Sequence, residues 1–230
     1  MKLLKLYIFA SILSLSSLSN AEIDPLENIN LKTHKLNQTL DSEVASPVAS
    51  FYKKITPDFL EKGITNFTHN IEDLSIAINN ILQGKIEDGV SDMFRFIINS
   101  TIGIGGFIDV ASNIGFIKHD EDFGQTLAVW GVPDGPYLVL PGLGPSTMRD
   151  ALGMIPDSFL TPLWLIDHDR TSYSLTAIDL VDTRARYLGL ESVVIGDEYL
   201  FYRDAYLQSR EFDINDGQVD DDFNDFDDFD

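Results

Sequence analysis

Four histidines, His34, His69, His119 and His168, are the side chains best suited to proton transfer or metal binding at neutral pH. No two of them stand four residues apart, the spacing that puts two imidazoles of one helix on a zinc ion. His119-Asp120-Glu121-Asp122 gathers possible ligands, but on a polar loop such a run is simply solvated. Gly144-Pro145-Ser146-Thr147-Met148 lacks the last glycine of a nucleophile elbow. Gly84-Lys85 is followed by Ile86 and has no matching upstream glycine, so it is not a phosphate loop. Gly103-Ile104-Gly105-Gly106 and Gly142-Leu143-Gly144 fall short of a dinucleotide fingerprint. The chain has no cysteine, which excludes disulfides, thiol catalysis and thiolate metal sites. With no nucleophile–base pair in view, the expectation is a protein that catalyses no reaction and uses no cofactor or metal.

The elements that would position these residues are mostly helical. Ile71, Leu74, Ile78, Ile81 and Leu82 recur at three- and four-residue spacing, one face of an amphipathic helix. Gly84-Lys85 makes a turn, and Ile86 to Ser100 reads as a second helix with Val90, Phe94, Ile97 and Ile98 on one side. Asp24-Pro25 is an N-cap and N1 pair, and Pro47 and Pro57 each restart the chain. Leu175, Ile178, Val181, Ala185 and Leu188 form another stripe, ended by Gly189. Tyr199, Tyr202 and Tyr206 line up on a last helix starting near Asp197.

Two uncharged stretches interrupt this pattern. Residues 96–108 contain Gly103, Gly105 and Gly106, and residues 135–148 contain Pro136, Pro141 and Pro145. Neither is long enough to cross a bilayer as one helix, for which about 20 apolar residues are needed. Each is either a broken, re-entrant segment or a Gly-rich turn in a core.

The ends and the charge bound the setting. Lys2 and Lys5, the apolar run from Leu6 to Leu15, and Ser19-Asn20-Ala21 have the layout of a secretory signal peptide, with cleavage expected after Ala21. Residues 22–212 are then one domain. From Asp213 to Asp230 there are nine aspartates and no basic residue, a segment that repels itself and buries little; it is either a solvating tail or an acidic tether for a basic partner. The net charge of −21 argues against nucleic acid and against electrostatic docking on anionic headgroups.

The sequence resembles the MlaA (VacJ) family over about residues 24–212. The resemblance is carried by Asn66-Phe67, Asn70, Ile78-Asn79 and Leu82-Gln83-Gly84, then Arg95-Phe96 with Asn99-Ser100-Thr101. It continues through Gly103, Gly106-Phe107-Ile108-Asp109-Val110-Ala111 and Asp122-Phe123-Gly124-Gln125-Thr126-Leu127. Trp130-Gly131-Val132, Gly135-Pro136-Tyr137, Leu140-Pro141, Gly144-Pro145-Ser146 and Arg149-Asp150 follow in order. Asp182-Thr183-Arg184-Ala185 and Tyr202-Arg203-Asp204-Ala205-Tyr206 complete it. Two features depart from the family: the cysteine after the signal peptide is missing, and its early Asn-Arg and Phe-Asn pairs are Asn30-Leu31 and Leu36-Asn37 here.

The resemblance implies a mainly α, ring-like arrangement of amphipathic helices embedded in one leaflet, the periplasmic leaflet of the outer membrane. It implies removal of misplaced phospholipid from the outer leaflet, through an amphipathic channel, to a soluble periplasmic carrier, in association with a trimeric porin. The missing cysteine adds the expectation of residence there without a lipid anchor. Asn99, Asp109, Gln125 and Tyr137 are candidate polar lining positions; Gly103, Gly105 and Gly106 are candidate hinge positions. Arg149 suits either a lipid phosphate or a carboxylate such as Asp150. The alternative is a soluble periplasmic lipid-binding or scaffold protein; a lipid hydrolase is a poorer third.

Overall fold

The computed structural model describes residues 24–162 and 169–218. The expected signal peptide, His168 and the expected acidic tail from residue 219, with Phe223, Phe226 and Phe229, lie outside the described residues.

The described chain is mainly helical. Helix α1 (Glu27–Leu40) passes through a π-helical turn (Asp41–Ala45) into α2 (Ser46–Ile55). A long hairpin follows, α3 (Asp58–Gln83) and α4 (Ile86–Thr101). Short helices α5 (Val110–Asn113) and α6 (Phe123–Val129) precede a two-stranded antiparallel hairpin, β1 (Tyr137–Leu140) and β2 (Gly144–Thr147), in which Tyr137 pairs Thr147. Helices α7 (Met148–Leu160), α8 (Asp169–Arg186) and α9 (Glu198–Ile214) complete it, with a 3₁₀ turn at Leu190–Val193.

The neighbour relations close into a ring. Helix α2 packs on α8, α8 on α3, α3 on α6 and α7, α6 on α9, α9 on β2, and β1 on α1, which runs back into α2. No described helix is long and apolar enough to cross a membrane.

Several expected boundaries move for local reasons. Helix α1 begins at Glu27 rather than at Pro25, because Asp24 is occupied elsewhere. Pro57 does start α3, but Pro47 does not restart the chain. The π turn bonds Ser46 N–H to the Asp41 carbonyl, so the widened turn has room for a proline ring just beyond it. The uncharged 135–148 segment is the β-hairpin rather than a broken helix. At the far end, Asp213 and Ile214 complete α9, and Asp216 beyond it pairs with Lys85, so order runs a few residues into the segment expected to be a tail.

Gly84, at φ +89°, ends α3: its N–H and that of Lys85 bond the Ile81 and Asn80 carbonyls, the Schellman arrangement. The hairpin it creates is inverted with respect to a water-soluble protein. The seam between α3 and α4 is polar, with Asn70, Asp73, Asn80, Asp92, Arg95 and Asn99 all buried. The apolar stripe faces outward; Ile81, Phe94 and Ile97 are exposed. Elsewhere on the surface Phe51, Phe59, Ile102, Ile104, Trp130 and Phe159 are each more than half exposed. Exposed apolar residues scattered singly are ordinary, but a polar interior beneath an apolar exterior is not.

Such an interior is tolerable only if its polar atoms are paired, since an unpaired buried group costs a few kcal/mol. Most are. Asn80 Nδ2 donates to Asp92 at 2.9 Å, and Lys118 Nζ to Asp73 at 2.9 Å. Asn79 Nδ2 donates to Asp157, and Thr126 Oγ1 to Asn79, both at 2.9 Å. Arg95 donates to Ser112 Oγ and the Phe116 carbonyl, each at 2.9 Å.

Candidate functional site

An amphipathic space lies where α1, the β-hairpin, the end of α8 and the start of α9 meet. Its construction begins with two asparagines. Asn30 and Asn37 stand seven residues apart, two helical turns, and so share one face of α1. Asn30 donates to the Tyr137 carbonyl at 3.0 Å and accepts from Val139 N–H at 2.9 Å. Asn37 donates to the Leu140 carbonyl at 2.9 Å and accepts from Gly142 N–H at 2.7 Å. Side-chain amides thus satisfy the edge of a strand that has no third strand beside it among the described residues, an edge that would otherwise invite pairing with another chain. Asn30 also donates to Asp24 at 2.8 Å, and Asp24 accepts from the Tyr199 hydroxyl, which ties α9 to the same corner. Tyr137 completes it with edge contacts to Tyr199 and a tilted contact to Tyr206.

Beside this corner is a cavity of about 780 Å³. Val139, Pro145, Tyr187, Leu190, Val193 and Phe201 give it an apolar wall, and His34, Gln38, Asp41, Arg184 and Glu198 give it polar ground. That volume and mixture are typical of a small-molecule site. Its charged feature is a fork: Arg184 Nε and Nη2 meet the two Asp41 oxygens at 2.6 and 2.9 Å. Ser46 Oγ accepts from Arg184 at 2.6 Å and donates to Asp41 at 3.0 Å. Arg184 holds the Asp41 carboxyl below its usual range despite partial burial. Helix α8 is anchored two residues earlier by Asp182, fully buried, which accepts from Tyr52 at 2.8 Å and Thr65 at 2.7 Å.

A second cavity, of about 640 Å³, lies along the other half of α9 and is bounded by Pro133, Asp134, Thr147, Arg149, Leu207 and Arg210. A carboxylate network closes its inner side. Arg210 forks onto Asp122 at 2.6 Å through each of two nitrogens and reaches Asp150 at 2.9 Å; Tyr206 donates to Asp150 at 2.7 Å. Burial pushes the Asp150 carboxyl up, but Arg210 and Tyr206 outweigh it and the net shift is downward.

The eight residues singled out from the sequence fall into separate groups. Asn99, Gly103, Gly106 and Asp109 come together at the end of α4, where Asn99 donates to Asp109 at 3.0 Å and accepts from Ala111 N–H at 2.9 Å. A Cβ on Gly103 would lie 2.1 Å from the Ile108 carbonyl oxygen, and one on Gly106 would lie 2.7 Å from Asn70 Cβ. Gly105 sits at φ +70° with open space around it. Gln125 donates to the Asp120 carbonyl at 3.0 Å, inside the fold. Tyr137 belongs to the α1–hairpin corner. Arg149, buried, donates to Asp150 at 3.1 Å and pairs with Asp134, so its partners are carboxylates. Of the eight, Arg149 bounds the second cavity and none bounds the first.

His119 to Asp122 do not converge on a point: His119 meets Asp92, Glu121 meets Lys85 and Gln83, and Asp122 meets Arg210. Asn30, Asn37, Asp41 and Arg184 are the residues that sequence reasoning passed over as a site. The seven-residue spacing of the two asparagines was the available signal.

The family model described as MlaA lipoprotein matches residues 22–213. The intermembrane phospholipid transport system lipoprotein MlaA of Escherichia coli is 34% identical over 203 residues, 85% of this chain and 80% of that protein. The protein of the same name from Haemophilus influenzae is 30% identical over 202 residues, 85% of this chain and 81% of that protein. A solved structure from work on the maintenance of bacterial outer membrane lipid asymmetry superposes with a TM-score of 0.76 at 32% identity, covering 84% of this chain and 99% of that one. These names correct one expectation. Residence at the outer membrane without a lipid anchor was inferred from a single missing residue type, and it is overturned by relatives that are lipoproteins. Matched across most of its length in sequence and in structure, the chain belongs to the MlaA lipoprotein family.

Proposed function

We propose that this protein transports phospholipid and so maintains outer-membrane lipid asymmetry, taking misplaced phospholipid from the outer leaflet and passing it through an amphipathic channel to a soluble periplasmic carrier. One observation carries the reading: the polar seam of the α3–α4 hairpin is buried while its apolar stripe is exposed. A phospholipid transporter in one leaflet must meet lipid tails with an apolar exterior and keep its own polar groups turned inward and paired, since an unpaired polar group against hydrocarbon is costly. Amphipathic helices lying in one leaflet meet both demands without a membrane-crossing helix.

In this reading residues 22–212 form the transport domain, residues 1–21 are an export signal, and the acidic tail follows. A trimeric porin supplies the surface against which the ring is held. Asn99, Asp109, Gln125 and Tyr137 act by fixing the walls of the path through their hydrogen bonds, and Gly103, Gly105 and Gly106 by letting the chain turn beside it. Arg149 acts in the same way, through Asp150 and Asp134.

The test is outer-leaflet phospholipid on intact cells lacking the gene, read with a surface-acting phospholipase. Surface phospholipid should rise, and complementation should restore it. An unchanged level in cells that normally hold the protein would sink the proposal.

A further inference from the structure

The first cavity carries a recognition device that the transport reading does not require. Its polar end holds charges of both signs within one fork, Arg184 on Asp41, with Ser46 hydrogen-bonded to both. The π turn is what makes this possible. By inserting an extra residue into the helical turn it brings Asp41 and Ser46 together on one side of the rod, facing α8. Glu198, in the first turn of α9, and His34, on α1, bound the same space. His34 Nε2 is buried and has no hydrogen-bond partner, although its ring is held against Tyr199 and Tyr202. The nitrogen is covered by its neighbours, so it meets a ligand once the imidazole turns toward the cavity that His34 bounds.

We propose that this fork is a headgroup site and that its occupant is a zwitterionic phospholipid with a primary amine, its phosphate held by Arg184 and His34 and its ammonium by Asp41 and Glu198. The inference rests on the lipid-transport reading and names the lipid class. Charge complementarity selects the occupant. An anionic headgroup entering here would meet two carboxylates for one arginine, in a chain whose net charge is −21. A zwitterion presents one charge of each sign, so the Arg184–Asp41 pair is exchanged for two pairs with the ligand and neither protein charge is stranded. Asp41 is the accessible partner, with 39% of its side chain exposed against 18% for Arg184. A quaternary ammonium has no N–H to donate to Asp41 and should bind less well than a primary amine. The apolar wall of Val139, Leu190, Val193 and Phe201 gives the first part of the acyl chains a dry surface.

The experiment uses the full chain in detergent and three soluble short-chain lipids, with ethanolamine, choline and glycerol headgroups on the phosphate. Calorimetry reads the dissociation constants. The ethanolamine lipid should bind about fivefold more tightly than the glycerol lipid, the range of one partly exposed charge pair. Asp41→Asn should abolish that preference, and Glu198→Gln should reduce it. Arg184→Lys should weaken both lipids together; should it fail to fold, His34→Phe tests the phosphate end instead. Equal binding of all three lipids to the unaltered protein would overturn the selectivity and leave transport standing. A preference that survives Asp41→Asn would place the selecting group elsewhere and overturn the site. Binding of none of them would overturn the cavity as a headgroup site, and the surface-phospholipid assay would still decide transport on its own.

Discussion

Arg95→Met asks whether the polar interior is a dry core or a wet lumen. Arg95 is 1% exposed, as is Asp73, which lies 3.5 Å from its Nε. Its other nitrogens donate to Ser112 and Phe116 at 2.9 Å and meet Asp109 at 3.3 Å. Methionine keeps most of the stem and removes every donor. Asp73 is then left with Lys118 alone, and the Phe116 carbonyl loses its Arg95 donor. Breaking a buried pair in this way costs about 3–5 kcal/mol, because the remaining charge stays buried. For a chain of this size about 1 kcal/mol moves Tm by roughly 2–4 °C, so the melting point should fall by about 6–20 °C. Were the same groups solvated, the loss would be only about 0.2–1 kcal/mol, as for exposed pairs. The assay is thermal unfolding followed by circular dichroism in detergent, repeated on Asp73→Asn and on the double variant. The double variant should lose less than the sum of the single losses, since neither member of the Arg95–Asp73 pair is left behind without the other. A fall of under about 1 kcal/mol for Arg95→Met, or strict additivity, would refute the dry-core reasoning.

Two further outcomes follow from the loop after α4. Gly106→Val places a β-branched residue at φ +95° with its Cβ 2.7 Å from Asn70 Cβ, whereas Gly105→Val, at φ +70°, meets nothing. The first should cost about 2–4 kcal/mol from strain plus overpacking, and the second about 1–2 kcal/mol from strain alone; equal melting points for the two would contradict the close approach. Burial pushes the Asp109 carboxyl up, but the Ser112 hydroxyl and N–H, the Asn99 amide and Arg95 together hold it at about 2, below its ordinary 3.8. A carboxyl depressed on folding stabilises the native state above its unfolded value and loses that contribution as pH falls through its folded one. Asp109 therefore contributes about 2 kcal/mol at neutral pH that disappears between about pH 4 and pH 2. Asp109→Asn should flatten the acid limb of a stability–pH curve; an unchanged limb would show that other carboxylates carry it.

The helical hairpin was legible because its apolar residues keep three- and four-residue spacing across α3 and α4, and because Gly84 ends the first helix where a left-handed residue is needed. The final helix was legible from Asp197, whose side chain accepts from Leu200 N–H at 3.1 Å, and from the tyrosines that follow. The β-hairpin was not, because its strands are only four residues long and the second opens on Gly144-Pro145, too short an alternation to detect. The fork of Arg184 and Asp41 was invisible for a different reason. Its members lie 143 residues apart, and a π turn has no composition that announces it.

What periodicity alone cannot say is which way an amphipathic helix faces, since the same apolar stripe suits a water-soluble core or a lipid boundary. The opposite face does say it. A helix whose polar side meets water favours long, flexible lysines and glutamates, which keep their charge solvated. Along α3 the opposite face instead reads Asn66, Asn70, Asp73, Ala77 and Asn80, spaced four, three, four and three, and along α4 it reads Asp92, Arg95 and Asn99. This is the heptad spacing of a helix–helix seam with short amides and carboxylates where leucines would ordinarily stand. Short polar groups suit a seam because they lose little rotamer freedom on burial and can reach one another, as Asn80 reaches Asp92. At the turn the two helices come close enough that a Cβ on Gly89 would lie 2.8 Å from the Ala77 carbonyl oxygen. A polar seam so tightly closed leaves the apolar stripe on the outside, which is the arrangement a protein needs when its surroundings are lipid.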